Sequence, residues 1–235
     1  MVVRHGGRFF EGPRCFQQEP HWPFAWSQAQ HDWIFRLDAD EFPSTSMKTW
    51  LQSFRAGPEP ASDISGFTGI WPLWDGTRAV TRHWPPGRIF LIQRQRARFF
   101  GMAENTPVPD GHYQPSGLTL HHQPMRKSYG MRNVFCRKQA AAWRLVIATG
   151  LLGTPSDLPR WRWGSRDWPD FWKNLRERPL RTGIYSFVRG YLTTLRDQWR
   201  AGERILPWTS LAGPCHHLLI ALCYCRLRLR SSTKS

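Results

Sequence analysis

Apolar positions along this chain change period several times, and each change predicts an element. Phe24-Ala25-Trp26-Ser27-Gln28-Ala29-Gln30 has the make-up of a short helix, and the run Trp33-Ile34-Phe35-Arg36-Leu37 that of a buried strand. Pro43-Ser44-Thr45-Ser46 reads as a helix start, because Met47, Trp50, Leu51 and Phe54 follow at helical spacing on one face. A Gly/Pro/Glu-rich loop over 56–62 ends that helix. Strands are predicted at Phe67–Trp71, Arg88–Gln93 and Ala97–Phe100, separated by the turn signals Asp75-Gly76 and Pro85-Pro86-Gly87. Leu118-Thr119-Leu120 is a further short strand, running into His121-His122. Over 128–149 the pattern predicts an amphipathic helix with Met131, Val134, Phe135, Ala142 and Leu145 inward. Residues 153–179, rich in Pro, Trp and Arg, read as a loop. Ile184, Phe187, Val188, Tyr191, Leu192 and Leu195 form the cleanest helical stripe in the chain. The sum is an α/β protein in two parts, a strand-rich region over 1–125 and a helical region over 126–235.

Composition narrows this picture. At 235 residues, with 40% hydrophobic residues and a mean hydropathy of -0.53, the chain is long and apolar enough to bury a core of its own. Its 14 Trp and 14 Phe suit a core first and stacking platforms second. The formal net charge is +16 and comes largely from arginine, which suits bidentate contact with phosphate or carboxylate. Nucleic acid, anionic lipid headgroups and nucleotide diphosphates would all suit such a surface. Zinc-finger spacing, an RRM signature and long Lys/Arg tracts are absent, so nucleic acid is not the expected partner. Five cysteines (Cys15, Cys136, Cys215, Cys223 and Cys225) without a C-x-x-C pair argue for a reducing, cytoplasmic setting. The N-terminus lacks the apolar stretch of a signal peptide. Residues 214–225 are apolar but too short to span a bilayer, which leaves a buried helix or one lying in the membrane interface.

The chemistry concentrates at Asp38-Ala39-Asp40-Glu41, immediately after the first strand. Only 17 acidic residues exist in the chain, and three of them fall in these four positions. Carboxylates this close raise one another's pKa unless something compensates, and a divalent Mg²⁺ or Mn²⁺ held by hard oxygen donors is the usual remedy. A strand ending in Asp-x-Asp places both side chains at the carboxyl edge of a sheet, where open α/β folds bind their ligands.

The segment Asp32-Trp33-Ile34-Phe35-Arg36-Leu37-Asp38-Ala39-Asp40-Glu41 resembles the "dWil-lDaDE" signature of family 2 glycosyltransferases, in particular the bacterial branch that builds lipopolysaccharide cores and other surface glycans. Further segments are similar in the family's order. Arg88-Ile89-Phe90-Leu91 resembles its "RlFr" strand, Phe99-Phe100-Gly101-Met102-Ala103-Glu104 its "f-g-vHE" segment, and Leu118-Thr119-Leu120-His121 its "l-l-H". The helix over 184–195 with Gly202 is similar to the C-terminal "fl-rYil---fldG" stretch. The family's N-terminal "PtyNE" and "vDsgStDgT" motifs have no counterpart. Each strand–helix–strand unit takes about 30 residues or more, and 37 precede Asp38. The expected fold is therefore a partial GT-A-like (Rossmann-like) sheet lacking its N-terminal strands, with an exposed strand edge, weakened stability and weak donor affinity.

The resemblance implies a metal-dependent, inverting transfer of a sugar from a nucleotide-sugar donor to a lipid-linked or cell-surface glycan acceptor. Asp38 would face the nucleotide's ribose and the metal, and Asp40 would ligate the metal. Arg88 would contact the nucleotide-sugar, and His121 would be a further metal or diphosphate contact. Glu104, aligned with the Glu of "HE", would be the catalytic base, although Ala103 replaces the preceding His. Of the other strand arginines, Arg94, Arg96 and Arg98 are candidates for diphosphate but read mostly as solvated. The implied setting is cytoplasmic, with peripheral contact to an anionic membrane on its inner face. Two other readings stay open: an inactive remnant of that family, and a basic protein that binds polyanions without using Asp38 or Asp40.

Overall fold

The structure, a computed structural model, describes residues 6–11, 19–74, 79–81, 87–102, 106–123, 138–164 and 167–232. Its centre is a five-stranded mixed sheet formed by β1 (Trp33–Phe35), β2 (Glu41–Pro43), β3 (Ile64–Ile70), β6 (Arg88–Gln93) and β9 (His112–His122), in the order β1-β6-β3-β9-β2. β3 and β9 run parallel, and the other pairs are antiparallel. Two small sheets accompany it, the pair β4 (Leu73–Trp74) with β5 (Ala79–Thr81), and a three-stranded one with β7 (Ala97–Phe100) between β8 (Val108–Pro109) and β10 (Arg160–Trp161).

The apolar run of β1 is explained by burial on both faces of the sheet. Trp33 and Phe35 pack on one side with Phe67, Phe90, Leu120 and helix α2 (Thr45–Ala56), which contributes Met47, Trp50, Leu51 and Phe54. Ile34 points to the other side, where Trp22 and Trp26 of helix α1 (Trp22–Ser27) meet Ile92, Phe99 and Trp161. α2 starts where the sequence predicts, because the Ser44 hydroxyl accepts the Met47 N–H at 3.2 Å as an N-cap. β1 and β2 are the two edge strands of this sheet.

The C-terminal part consists of α3 (Lys138–Leu152), α4 (Asp170–Glu177), α5 (Pro179–Arg200), the short α6 (Pro207–Ser210) and α7 (Ala212–Ser232). Ile147, Ala148 and Leu151 of α3, Trp172 and Leu175 of α4, and Ile220, Ala221 and Tyr224 of α7 form one cluster, which also takes in Phe100 and Met102 at the end of β7. Two sequence expectations change here. Leu145, expected inward, is 47% exposed; the α3 core face is Ile147, Ala148 and Leu151 instead. α3 is apolar nearly all round, so periodicity within it does not select a face, and Met131, Val134 and Phe135, which had set the expected one, lie outside the described residues. The stretch read as a loop over 153–179 contains α4, whose inward residues span only two turns. Segment 214–225 is part of α7, and Cys215, Ile220, Ala221 and Tyr224 are buried there against protein. Among the described residues no helix is long and apolar enough to cross a membrane.

α5 and α7 cross where glycine removes a side chain. A Cβ built on Gly183 would lie 2.7 Å from the Ala221 Cβ, inside any normal contact. Gly183→Val is therefore expected to force the two helices apart and to cost about 2 kcal/mol, read as a lower midpoint in denaturant melts. An unchanged midpoint would mean that the crossing relaxes freely.

Candidate functional site

The acidic turn is closed by its own members. The Glu41 N–H donates to the Asp38 carbonyl at 3.0 Å, and the Asp38 N–H donates to Glu41 Oε2 at 2.8 Å. β2 then pairs with the end of β9, setting Glu41 opposite His122 and Phe42 opposite His121, and the Gln123 N–H donates to the Asp40 carbonyl at 2.9 Å. β6 approaches from the other side of β1, with the Arg36 N–H donating to the Phe90 carbonyl at 2.8 Å. Three segments far apart in sequence thus meet at one end of the sheet.

Two arginines meet two of the three carboxylates, and a histidine meets the third. The Arg88 guanidinium donates through Nη2 to Asp38 Oδ2, and its Nε lies 3.0 Å from Glu41 Oε1. That second contact is a charge contact and not a hydrogen bond, since the geometry aims neither atom at the other. Arg36 Nη2 lies 3.8 Å from Asp38 Oδ1, and its guanidinium covers the Trp22 ring at 4.0 Å. Asp40 Oδ2 lies 3.3 Å from His122 Nε2. The His122 ring stacks on Trp71 at 4.2 Å between centroids, and Arg88 sits over the same indole at 5.4 Å.

Burial grades these groups. The Glu41 side chain is fully buried, that of Asp38 is partly covered, and that of Asp40 is the most open at 41% exposed. Burial raises the Glu41 carboxyl above its usual range, and Arg88 opposes the shift. Burial, seconded by the like charge of Arg88, lowers Arg36 to about 10, so it stays protonated at neutral pH. Burial lowers His122 against the pull of Asp40, which keeps the imidazole neutral at pH 7.

Of the residues expected at the site, Asp38, Asp40 and Arg88 come together. His121 does not join them: it shares an exposed strand face with Phe42, and its neighbour His122 takes the place beside Asp40. Glu104 lies outside the described residues. Of the remaining arginines, Arg94 and Arg96 are braces, while Arg98 stays solvated in a surface ion pair. Arg94 binds Asp32 at 3.2 Å and the carbonyls of Trp26 and Ala29; Arg96 binds the carbonyls of Ala61 and Ile64; Arg98 pairs with Asp110 at 2.8 Å. Arg36, Trp71 and His122 are the members that sequence reasoning missed. Strand parity carried a signal for His122, which lies two residues from the fully buried Leu120 and so shares its side of the strand.

The donor set suits a hard divalent cation. Among the described residues no three His, Cys, Asp or Glu side chains converge as a metal-binding group. Mg²⁺, however, is commonly held by one or two carboxylates, with waters and substrate phosphates completing its shell. Asp40, open to solvent, and Asp38, one turn away, match that pattern in number and type.

No protein-family model, no curated protein and no solved structure matches this chain.

Proposed function

We propose that the acidic turn is the donor site of a family 2, GT-A-type glycosyltransferase, acting on a nucleotide-sugar. The observation that carries the reading is the meeting of Asp38, Asp40, Arg88 and His122 at one sheet end, from three segments far apart in sequence. Asp38 and Asp40 would hold Mg²⁺ or Mn²⁺ alongside the diphosphate of the donor. The cation, when bound, offsets charge on the departing nucleoside diphosphate. Such an ion is needed on charge grounds, because the arginines here are already matched by carboxylates and leave little positive charge for a diphosphate. Arg88 orients Asp38, while His122, stacked on Trp71, flanks Asp40. Glu104 remains the base suggested by resemblance, taking the proton of the attacking acceptor hydroxyl. The acceptor in this reading is a lipid-linked or cell-surface glycan.

A specific observation favours a second reading, the inactive remnant. Arg36 and Arg88 both engage Asp38, so the arginines hold the turn without a ligand. The two readings separate on turnover. Calorimetric titration of Mn²⁺ with a panel of nucleoside-diphosphate sugars is expected to give metal-dependent binding, weakened at least tenfold in Asp40→Asn. The Asp40 side chain is the most open of the three carboxylates, so its loss tests binding without a large cost in folding. Binding with release of free or transferred sugar supports the enzyme, binding without turnover the remnant. No metal-dependent heat with any donor would refute the site altogether.

A further inference from the structure

The helix α5 carries an apolar face that the other described residues leave largely exposed. Leu180, Ile184, Tyr185, Val188, Leu192 and Trp199 are between 47% and 70% exposed. Their spacing places them along one side of the helix, while the side turned to α7 carries Gly183 and Gly190, which meet Ala221, Leu218 and Pro214. The stripe read from sequence as the chain's cleanest is thus split, and much of it faces outward.

The neighbouring surface is basic. Arg178, Arg181, Arg189, Arg196 and Arg200 are all exposed, and Asp197, paired with Arg196 at 3.1 Å, is the only acidic residue in α5. Arg189 lies against Tyr185, donating to its hydroxyl at 3.1 Å. A helical wheel puts Arg178, Arg189, Arg196 and Arg200 beside the apolar stripe, with Arg181 within it. This is the profile of a helix that lies in a lipid interface: aliphatic side chains down, Tyr and Trp at headgroup level, arginines reaching phosphate.

We propose that this face of α5 docks on an anionic phospholipid bilayer, the helix lying in the plane of the interface. Charge chooses the lipid over a second copy of the chain. A two-fold contact through α5 would set the same arginine rows near one another with one acidic residue per helix to offset them. Anionic headgroups offset every one of them. The proposal is independent of the acidic turn and requires no nucleotide-sugar.

Flotation of the full chain with vesicles of phosphatidylcholine, alone or mixed with phosphatidylglycerol, tests it. The chain is expected to partition onto the mixed vesicles and only weakly onto neutral ones. Val188→Asn/Leu192→Asn removes two exposed aliphatic side chains and should lower the partition about thirtyfold, with an unchanged thermal midpoint. Arg189→Gln/Arg196→Gln should weaken binding several-fold and flatten its salt dependence. Equal partition by wild type and Val188→Asn/Leu192→Asn would overturn the proposal, because general positive charge would then explain the binding. So would a failure to float with anionic lipid, or a wild-type dimer in sedimentation that the same substitutions split.

Discussion

Arg88→Ala is expected to destabilise the protein by about 3 kcal/mol at neutral pH, and by much less in mild acid. The size follows from what the substitution leaves behind. Arg88 is the guanidinium in contact with both Asp38 and Glu41, and the Glu41 side chain is fully buried. Removing one partner of a buried ion pair strands the other charge, which costs about 3–5 kcal/mol in comparable cases. Asp38 retains Arg36 at 3.8 Å, so the lower end of that range applies.

The pH dependence follows from Glu41. Burial already holds its pKa above the ordinary carboxylate value, and Arg88 is the largest influence holding it down. Without Arg88 that pKa rises further. A carboxyl with a folded pKa above its unfolded one binds more protons in the native state between the two values. Stability then falls as pH rises through that window and recovers as pH drops below the folded pKa. Arg88→Ala should accordingly lose most stability at neutral and alkaline pH and approach wild type as Glu41 protonates. Denaturant melts across the acid-to-neutral range read this directly. A stability loss independent of pH would mean that Arg88 acts by packing on Trp71 and not by neutralising Glu41. Arg88→Met/Glu41→Gln should recover much of the loss, since an apolar stem and a neutral amide leave no stranded charge.

The same residues mark where the sequence was legible. β1, α2, β6 and β7 could be read because each carries a strong local signal: an apolar run bounded by turns, or a capped helix with one apolar face. The long β9 was visible only at Leu118–Leu120, since Gln114, Pro115 and Gly117 interrupt its pattern while β3 supplies its pairing from a distance. At the site, the crowding of Asp38, Asp40 and Glu41 announced that something must offset their charge. What offsets it here is pairing of Asp38 and Glu41 with Arg36 and Arg88, while Asp40 meets the neutral ring of His122, and the partner 50 residues away is set by the register of β6 against β1, which no local pattern encodes. His122 was within reach through strand parity, whereas Trp71 depended on the chain path after β3. Exposure of the α5 stripe was not legible either: helical periodicity identifies an apolar face but not whether anything packs against it.

Phe90→Ala is expected to cost about 4 kcal/mol at every pH, which sets it apart from Arg88→Ala two residues earlier on the same strand. Phe90 is fully buried between the sheet and α2. Its ring meets Phe35 at 6.2 Å and Trp50 at 5.9 Å, both edge to face, so truncation removes two aromatic contacts as well as buried area. Three aromatic or aliphatic layers converge there, from β1, β3 and α2, and none can collapse into the void without moving a strand. The side chains packed with Phe90 in that cluster are all apolar, so the loss should shift the whole stability–pH curve down in parallel. Phe90→Leu should recover more than half of it by refilling most of the volume. The contrast also tests the site. Because the Phe90 carbonyl accepts the Arg36 N–H, β6 holds Arg36 and Arg88 in one frame around Asp38. If that frame depends on core packing, Phe90→Ala should weaken metal-dependent donor binding even under conditions where the protein stays folded, and Phe90→Leu should restore it. Intact binding in folded Phe90→Ala would show that strand pairing alone positions the arginines.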